Sequence, residues 1–182
     1  MRPFVLAVVV FASAARAEEL AEVGASAPPF RLPVYNGAAM GFTAAGLDRY
    51  VGAQPDEKGT TALLVSFMAS FCGPCKKEMP YLEELYERYR SRGLRVLVVS
   101  IDSEPEGQKK VEDLIAQHHI TFPVLKDRFN LVARRWLGTK SPLPSLFMLR
   151  PNGTVASVHR GYSEDGVQLL RREVESAIAA SR

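Results

Sequence analysis

The chain has 182 residues, 47% of them hydrophobic, and a formal charge of +3 from 23 basic and 20 acidic side chains. So small a charge excess predicts no nucleic-acid partner, and the length suits one domain around one core. Only two cysteines are present, which excludes a small domain stapled by several disulfides and a four-thiolate zinc site.

Residues Met1–Ala17 combine Arg2, an apolar core from Phe4 to Ala15 and the small-x-small pattern Ala15-Arg16-Ala17, the pattern of a secretory signal peptide. The apolar core is shorter than the roughly 20 residues a membrane helix needs, so cleavage after Ala17 is expected, with an uncleaved N-terminal anchor as the alternative. Loss of Arg2 and Arg16 lowers the formal charge by two, from +3 to +1. Residues 18–182 are then expected as a single domain in a periplasmic or otherwise extracytoplasmic compartment.

Two apolar pieces, Phe30 to Tyr35 and Ala39 to Phe42, flank Asn36-Gly37, a pair that tolerates positive φ and predicts a hairpin. Thr43 to Tyr50 reads as one or two helical turns and Gly52 to Gly59 as an exposed loop. Thr61 to Ala69 is an apolar run with little alternation, expected for a strand covered on both faces. From Pro74 to Arg90, Met79, Leu82, Leu85, Tyr86 and Tyr89 recur at helical spacing, with Pro80 inside the pattern.

Leu94 to Ile101 predicts a second buried strand, Glu106 to His119 a helix, and Phe122 to Leu125 a short strand. Asn130 to Leu137 predicts another helix, with Phe129, Val132 and Trp136 in the core. Two antiparallel strands, Ser145 to Arg150 and Thr154 to Arg160, join at Pro151-Asn152-Gly153, and a last helix from Glu164 to Ala180 is capped by Ser163. This order implies an α/β sandwich with a mixed sheet. His118 and His119 are adjacent, so a helix points them about 100° apart and they do not readily share a metal. His159 reads as a strand-surface residue.

Both cysteines lie in Phe71-Cys72-Gly73-Pro74-Cys75-Lys76-Lys77-Glu78-Met79-Pro80, where the buried strand meets the amphipathic helix. A bridge between Cys72 and Cys75 closes a four-residue loop and stabilises by only about 2 kcal/mol, so stability is a poor reason for it. A thiol pair that opens and closes is the better one. A cysteine at a helix N-terminus has its thiolate stabilised by unpaired amides and the helix dipole, which makes Cys72 the attacking thiol and Cys75 the resolving one. Gly73 is expected to permit a tight turn there. Pro74 suits the first helical turn because it lacks the amide hydrogen that would be unpaired anyway.

These motifs resemble the thioredoxin superfamily and, within it, exported TlpA/ResA-like thiol-disulfide oxidoreductases. The resemblance rests on the Gly-x-x-Ala-Pro-x-Phe-x-Leu entry from Gly24 to Leu32, the CGPC-Lys-x-Glu-Met-Pro block, the strand and helix inserted before Phe122, and Leu143-Pro144 heading the next strand. It implies a thioredoxin-like sandwich with a central mixed sheet, an N-terminal β-hairpin and an inserted strand-helix unit. It also implies that Pro144 is a cis-proline beside the thiols, that Leu143 pairs through its backbone with a substrate strand, and that Glu78 exchanges the proton of Cys75. Phe71, Gly73 and Pro74 would form the partner surface.

Departures from the family pattern are Phe71 and Met68 at positions where many relatives have tryptophan, and Ser66 where cytoplasmic thioredoxins bury an aspartate. The first two are expected to alter the surface around Cys72, and the third shifts attention to Glu78. Lys76 and Lys77 are candidates for favouring the Cys72 thiolate.

The resemblance further implies protein disulfides as substrates, a membrane-embedded thiol reductase as electron donor, no cofactor and no metal, and a monomer. The Gly-Pro dipeptide resembles that of reducing thioredoxins, and cytochrome c maturation and copper-protein assembly are the candidate pathways. Two alternatives stand beside this reading. One is a peroxiredoxin-type thiol peroxidase, although Val65 and Ala69 occupy the places of the proline and threonine that precede the peroxidatic cysteine. The other is a copper- or haem-binding module using the thiols as ligands.

Overall fold

The computed structural model describes residues 20–139 and 142–181. The signal peptide expected over Met1–Ala17 lies outside the described residues. No described helix is long and apolar enough to cross a membrane.

Five strands form the central sheet: β3 (Ala62–Met68), β4 (Leu94–Ser100), β5 (Val124–Lys126), β6 (Ser145–Leu149) and β7 (Val155–Arg160), in the order β5-β4-β3-β6-β7. The β3–β4 and β4–β5 pairs are parallel, whereas β6 runs antiparallel to both β3 and β7. Every residue of β3 and β6 is buried, as unalternating apolar runs require when helices cover both faces. Helices α2 (Gly73–Tyr89) and α3 (Pro105–Gln117) connect successive parallel strands in one direction across the sheet, and right-handed crossovers place both on one face. Helix α5 (Glu164–Ala180) joins them there through Leu170, Val174 and Ile178. Helix α4 (Leu131–Leu137) returns the chain past β3 to β6 and covers the other face, where Trp136 packs with Phe30, Phe67 and Phe147.

The N-terminal part departs from its local turn signal. A two-stranded antiparallel sheet is present, but its strands are β1 (Arg31–Pro33) and β2 (Ala44–Gly46), and Asn36-Gly37 opens the short helix α1 (Gly37–Met40) between them. Asn36 has φ −97°, not the positive value of the expected tight hairpin. Its amide reaches across to the chain entering β5, with Nδ2 donating to the Phe122 carbonyl at 2.8 Å and Oδ1 accepting from Val124 N at 3.1 Å. Thr43 to Tyr50 is accordingly a strand followed by a single 3-10 turn at Leu47–Arg49. Phe129 is corrected as well. Asn130 adopts left-handed φ +55°, α4 starts only at Leu131, and Phe129 is 70% exposed, outside the core formed by Val132 and Trp136.

Candidate active site

β3 ends at Met68, one strand away from the β6 that returns on its other side, so its carboxyl end opens at the point where the chain's direction across the sheet reverses. There the chain turns through Ala69–Phe71 into α2. Cys72 N donates to the Ala69 carbonyl at 3.0 Å, and Cys72 is the N-cap of α2 with extended backbone, its Sγ accepting from Cys75 N at 3.2 Å. A sulfur thus occupies the place where a helix start favours negative charge. Cys72 and Cys75 form a disulfide with Cα atoms 5.3 Å apart. Cys72 is 9% exposed and Cys75 only 1%, and Phe71 beside them is 77% exposed.

Pro74 lies in the first turn of α2, as the missing amide hydrogen allows. Gly73 does not answer its expected reason. It is the first residue of the helix, without positive φ, and a Cβ there would meet nothing within 4 Å. Met68 is corrected too, because it is 1% exposed and packs in the core on the α2 face, so it presents nothing to a partner. Lys76 and Lys77 are exposed on the outer side of α2.

Glu78 sits three residues after Cys75, on the same inward face of the helix, and is buried. The Ser66 hydroxyl donates to Glu78 Oε2 at 2.5 Å from the middle of β3. Burial pushes the Glu78 carboxyl up from 4.5 to about 7, with the Ser66 hydrogen bond working in the opposite direction. A solvated carboxylate paired with a lysine or arginine is therefore not what the fold makes of this residue.

The Leu143-Pro144 peptide bond is cis. Register fixes where it lies: Phe67 pairs with Ser145, so Pro144 adjoins the end of β3 that continues into Ala69–Cys72. The loop is held by Ser145 Oγ donating to the Pro142 carbonyl at 2.6 Å and by Gly161 N donating to the Pro144 carbonyl at 2.8 Å. Leu143 packs against the cores on both faces of the sheet.

One contributor was not readable as more than a polar turn. Asp102, just beyond β4, is buried and accepts from Ser70 N at 2.9 Å, Ser70 Oγ at 2.6 Å and Ser100 Oγ at 2.8 Å. It ties the turn that presents Phe71 and Cys72 to the neighbouring strand. Gly107 of α3 makes the room, since a Cβ there would come within 2.6 Å of Asp102 Oδ1. Asp127 plays a similar part at α4, accepting from Leu131 N at 3.0 Å and Ala133 N at 2.7 Å. Among the described residues no cluster of three or more His, Cys, Asp or Glu side chains could hold a metal ion.

The sequence profile of the AhpC/TSA family matches residues 23–158. The thiol-disulfide oxidoreductase ResA of Oceanobacillus iheyensis is 30% identical over 159 residues, covering 86% of this chain and 76% of that protein. The ResA of Bacillus subtilis is 30% identical over 138 residues, covering 76% of this chain and 67% of its own length. Among solved structures, a Chlorobium tepidum protein provisionally named thiol:disulfide interchange protein DsbE superposes with a TM-score of 0.71 at 25% identity, over 88% of this chain and 99% of that one. With a cysteine pair at the start of a helix, one cysteine less buried than the other, the chain belongs to the AhpC/TSA family and is a ResA-like thiol-disulfide oxidoreductase of thioredoxin-like fold.

Proposed function

We propose that the protein works outside the cytoplasm as a reductant of protein disulfides, receiving electrons from a membrane-embedded thiol reductase and acting as a monomer. The observation that carries the reading is the order of Cys72, Cys75 and Glu78 along one helix, with Cys72 less buried than Cys75 and a buried carboxyl one turn beyond. In the reduced form the Cys72 thiolate attacks a substrate disulfide and one substrate sulfur leaves. Cys75 then gives its proton to the Glu78 carboxylate and attacks Cys72 Sγ, which releases the second substrate sulfur and closes the Cys72–Cys75 bridge. Phe71 and the open surface at Gly73 and Pro74 receive the partner, and the backbone at Leu143 and Pro144 aligns its chain. Export is supported by the signal-peptide pattern at Met1–Ala17, and the reducing direction by the Gly-Pro dipeptide between the cysteines.

The candidate substrates are the haem-attachment thiols of apocytochrome c and the copper-site cysteines of copper-protein assembly factors. Expression of Cys75→Ser in the native host tests this, because Cys72 then holds its substrates as mixed disulfides that mass spectrometry identifies. Cytochrome-maturation or copper-assembly proteins on Cys72 are the expected result, and an empty trap would count against the exchange reaction. The peroxidase reading finds no support at the site. Val65 and Ala69 are wholly buried apolar residues, and the nearby Ser70 hydroxyl is bound to Asp102.

A further inference from the structure

Charge is unevenly spread along this chain. Residues 128–163 hold six lysines and arginines and not one aspartate or glutamate, whereas the rest of residues 18–182 has 15 basic and 20 acidic side chains. The start of that stretch folds onto the outside of the molecule at α4. Arg128, Phe129, Leu131, Arg134 and Arg135 are exposed, while Val132, Ala133, Trp136 and Leu137 are buried. The outer side of α4 thus mixes apolar and cationic groups with no acid among them.

None of the three arginines meets a carboxylate among the described residues. Arg128 lies 5.7 Å from the Phe129 ring centre, Arg134 donates to the Phe129 carbonyl at 3.0 Å, and Arg135 donates to the Pro29 carbonyl at 3.3 Å. Asp127 is buried and spends both its oxygens on amides at the start of α4. Arg31 and Lys126 do have acidic neighbours, Asp48 at 2.9 Å and Glu112 at 3.9 Å. Between β1 and α4 lies a cavity of about 560 Å³, whose wall combines Leu32, Phe129, Leu131 and Val132 with Arg128 and Arg135. An apolar cleft rimmed by such guanidinium groups fits a partner that offers phosphate and hydrocarbon together.

Two features favour a lipid surface over an acidic protein. Leu20 lies against Gly138 at the end of α4, and the apolar stretch from Phe4 to Ala15 stops five residues before Leu20. At about 3.5 Å of extended chain per residue, that stretch ends within about 18 Å of Leu20. The second feature is placement. β3, β4 and β5 are parallel, so Phe71 and Phe129, each three residues past a strand, stand at one edge of the sheet. The two strand ends are about 10 Å apart, and both rings are exposed.

We propose that Arg128, Phe129, Leu131, Arg134 and Arg135 form a docking face for an anionic phospholipid surface. The arginines meet lipid phosphates while Phe129 and Leu131 enter the headgroup boundary. The proposal rests on the reading of the protein as exported, for there the face holds the Cys72 edge beside the membrane that carries the electron donor.

Residues 18–182, which contain every described element, are floated with vesicles of phosphatidylcholine alone or mixed with phosphatidylglycerol. Binding is expected to the mixed vesicles only, and to weaken as salt rises. Arg128→Gln, Arg134→Gln and Arg135→Gln together should weaken it about 100-fold. Phe129→Ala with Leu131→Ala should weaken it about tenfold and keep the salt dependence. The same charge removed elsewhere, by Lys58→Gln, Arg92→Gln and Arg172→Gln, should leave binding within about threefold of the parent's. Insulin reduction checks that each variant is folded. Equal binding to both vesicles, binding to neither, or equal losses in the two charge variants overturns the docking face. Retention of the parent, but not of the α4 arginine variant, on immobilised polyglutamate without vesicle binding assigns the face to an acidic protein instead. Fractionation of the native host separates the two readings: a chain outside the cytoplasm that fails on vesicles loses only the docking face, and a cytoplasmic chain overturns export and the proposal with it.

Discussion

Ser66 gives its hydroxyl hydrogen to Glu78 across 2.5 Å, joining the middle of the central strand to the helix one turn beyond the resolving cysteine. This hydrogen bond favours the ionised carboxyl, whereas burial favours the neutral one, and burial is the larger effect. Ser66→Ala should therefore move the Glu78 titration further up, by about one pH unit for the loss of one buried hydrogen bond. The pH dependence of Cys75 alkylation in the reduced protein reads the shift, and a midpoint moving downward would contradict the sign.

The same carboxyl makes stability depend on pH. Glu78 titrates at about 7 in the folded chain against 4.5 for its ordinary value, so between those pH values the folded state binds more protons than the unfolded one. Its contribution is full below about 4.5 and is lost as the pH rises through about 7, a change of order 3 kcal/mol. Denaturant titrations of oxidised parent and Glu78→Gln should show the parent losing stability relative to the variant across that window. Parallel curves would mean that Glu78 is not neutral in the fold.

Cys72 and Cys75 should differ in reactivity as their exposures differ. In the reduced protein, iodoacetamide is expected to modify Cys72 faster than Cys75 by at least about tenfold, because the helix start stabilises its thiolate and Cys72 is the less buried of the two. Peptide mapping after timed quenching measures the ratio. Equal rates would remove the distinction between attacking and resolving thiols.

Phe71 is the exposed apolar side chain adjoining the reactive sulfur. Phe71→Ala should leave stability within about 0.5 kcal/mol of the parent, since the residue is 77% exposed. Its effect is expected on protein substrates, as a raised KM in insulin reduction, with unchanged kinetics toward oxidised glutathione. A loss with both substrates would place the ring in the chemistry and not in partner contact.

Asp102 holds the turn before Phe71 from outside the motif. Asp102→Ala leaves Ser70 N, the Ser70 hydroxyl and the Ser100 hydroxyl without their buried acceptor, at a cost of about 2–4 kcal/mol. Chemical denaturation measures this directly. Exchange rates toward glutathione should fall as well, because the loop that presents Cys72 loses its tether to β4.

Much of the fold is legible in the chain because its signals are strong and local. The largely apolar runs at Ala62–Met68 and Leu94–Ser100, the periodic faces of α2 and α5, and the Ser163 cap all appear where their patterns place them. The N-terminal turn was not legible, because Asn36 looks like a hairpin residue until β5, more than 80 residues later, engages its amide. Phe129 failed for a related reason: its spacing from Val132 and Trp136 is helical, but the left-handed Asn130 breaks the register before α4 begins.

By itself, the sequence determined which two atoms can form the redox pair, since only Cys72 and Cys75 carry thiols, and it determined that they stand at a strand-to-helix junction. Tertiary structure alone decided what surrounds them. A carboxylate on a helix is charged and solvated or neutral and buried according to the strand it packs on, and only the docking of α2 on β3 makes Glu78 the second. In the same way, only the pairing of β3 with β6 brings Pro144 to the end of β3 that leads into the cysteine turn. Burial and cross-strand neighbours are properties of the packed chain, and no stretch of residues carries them alone.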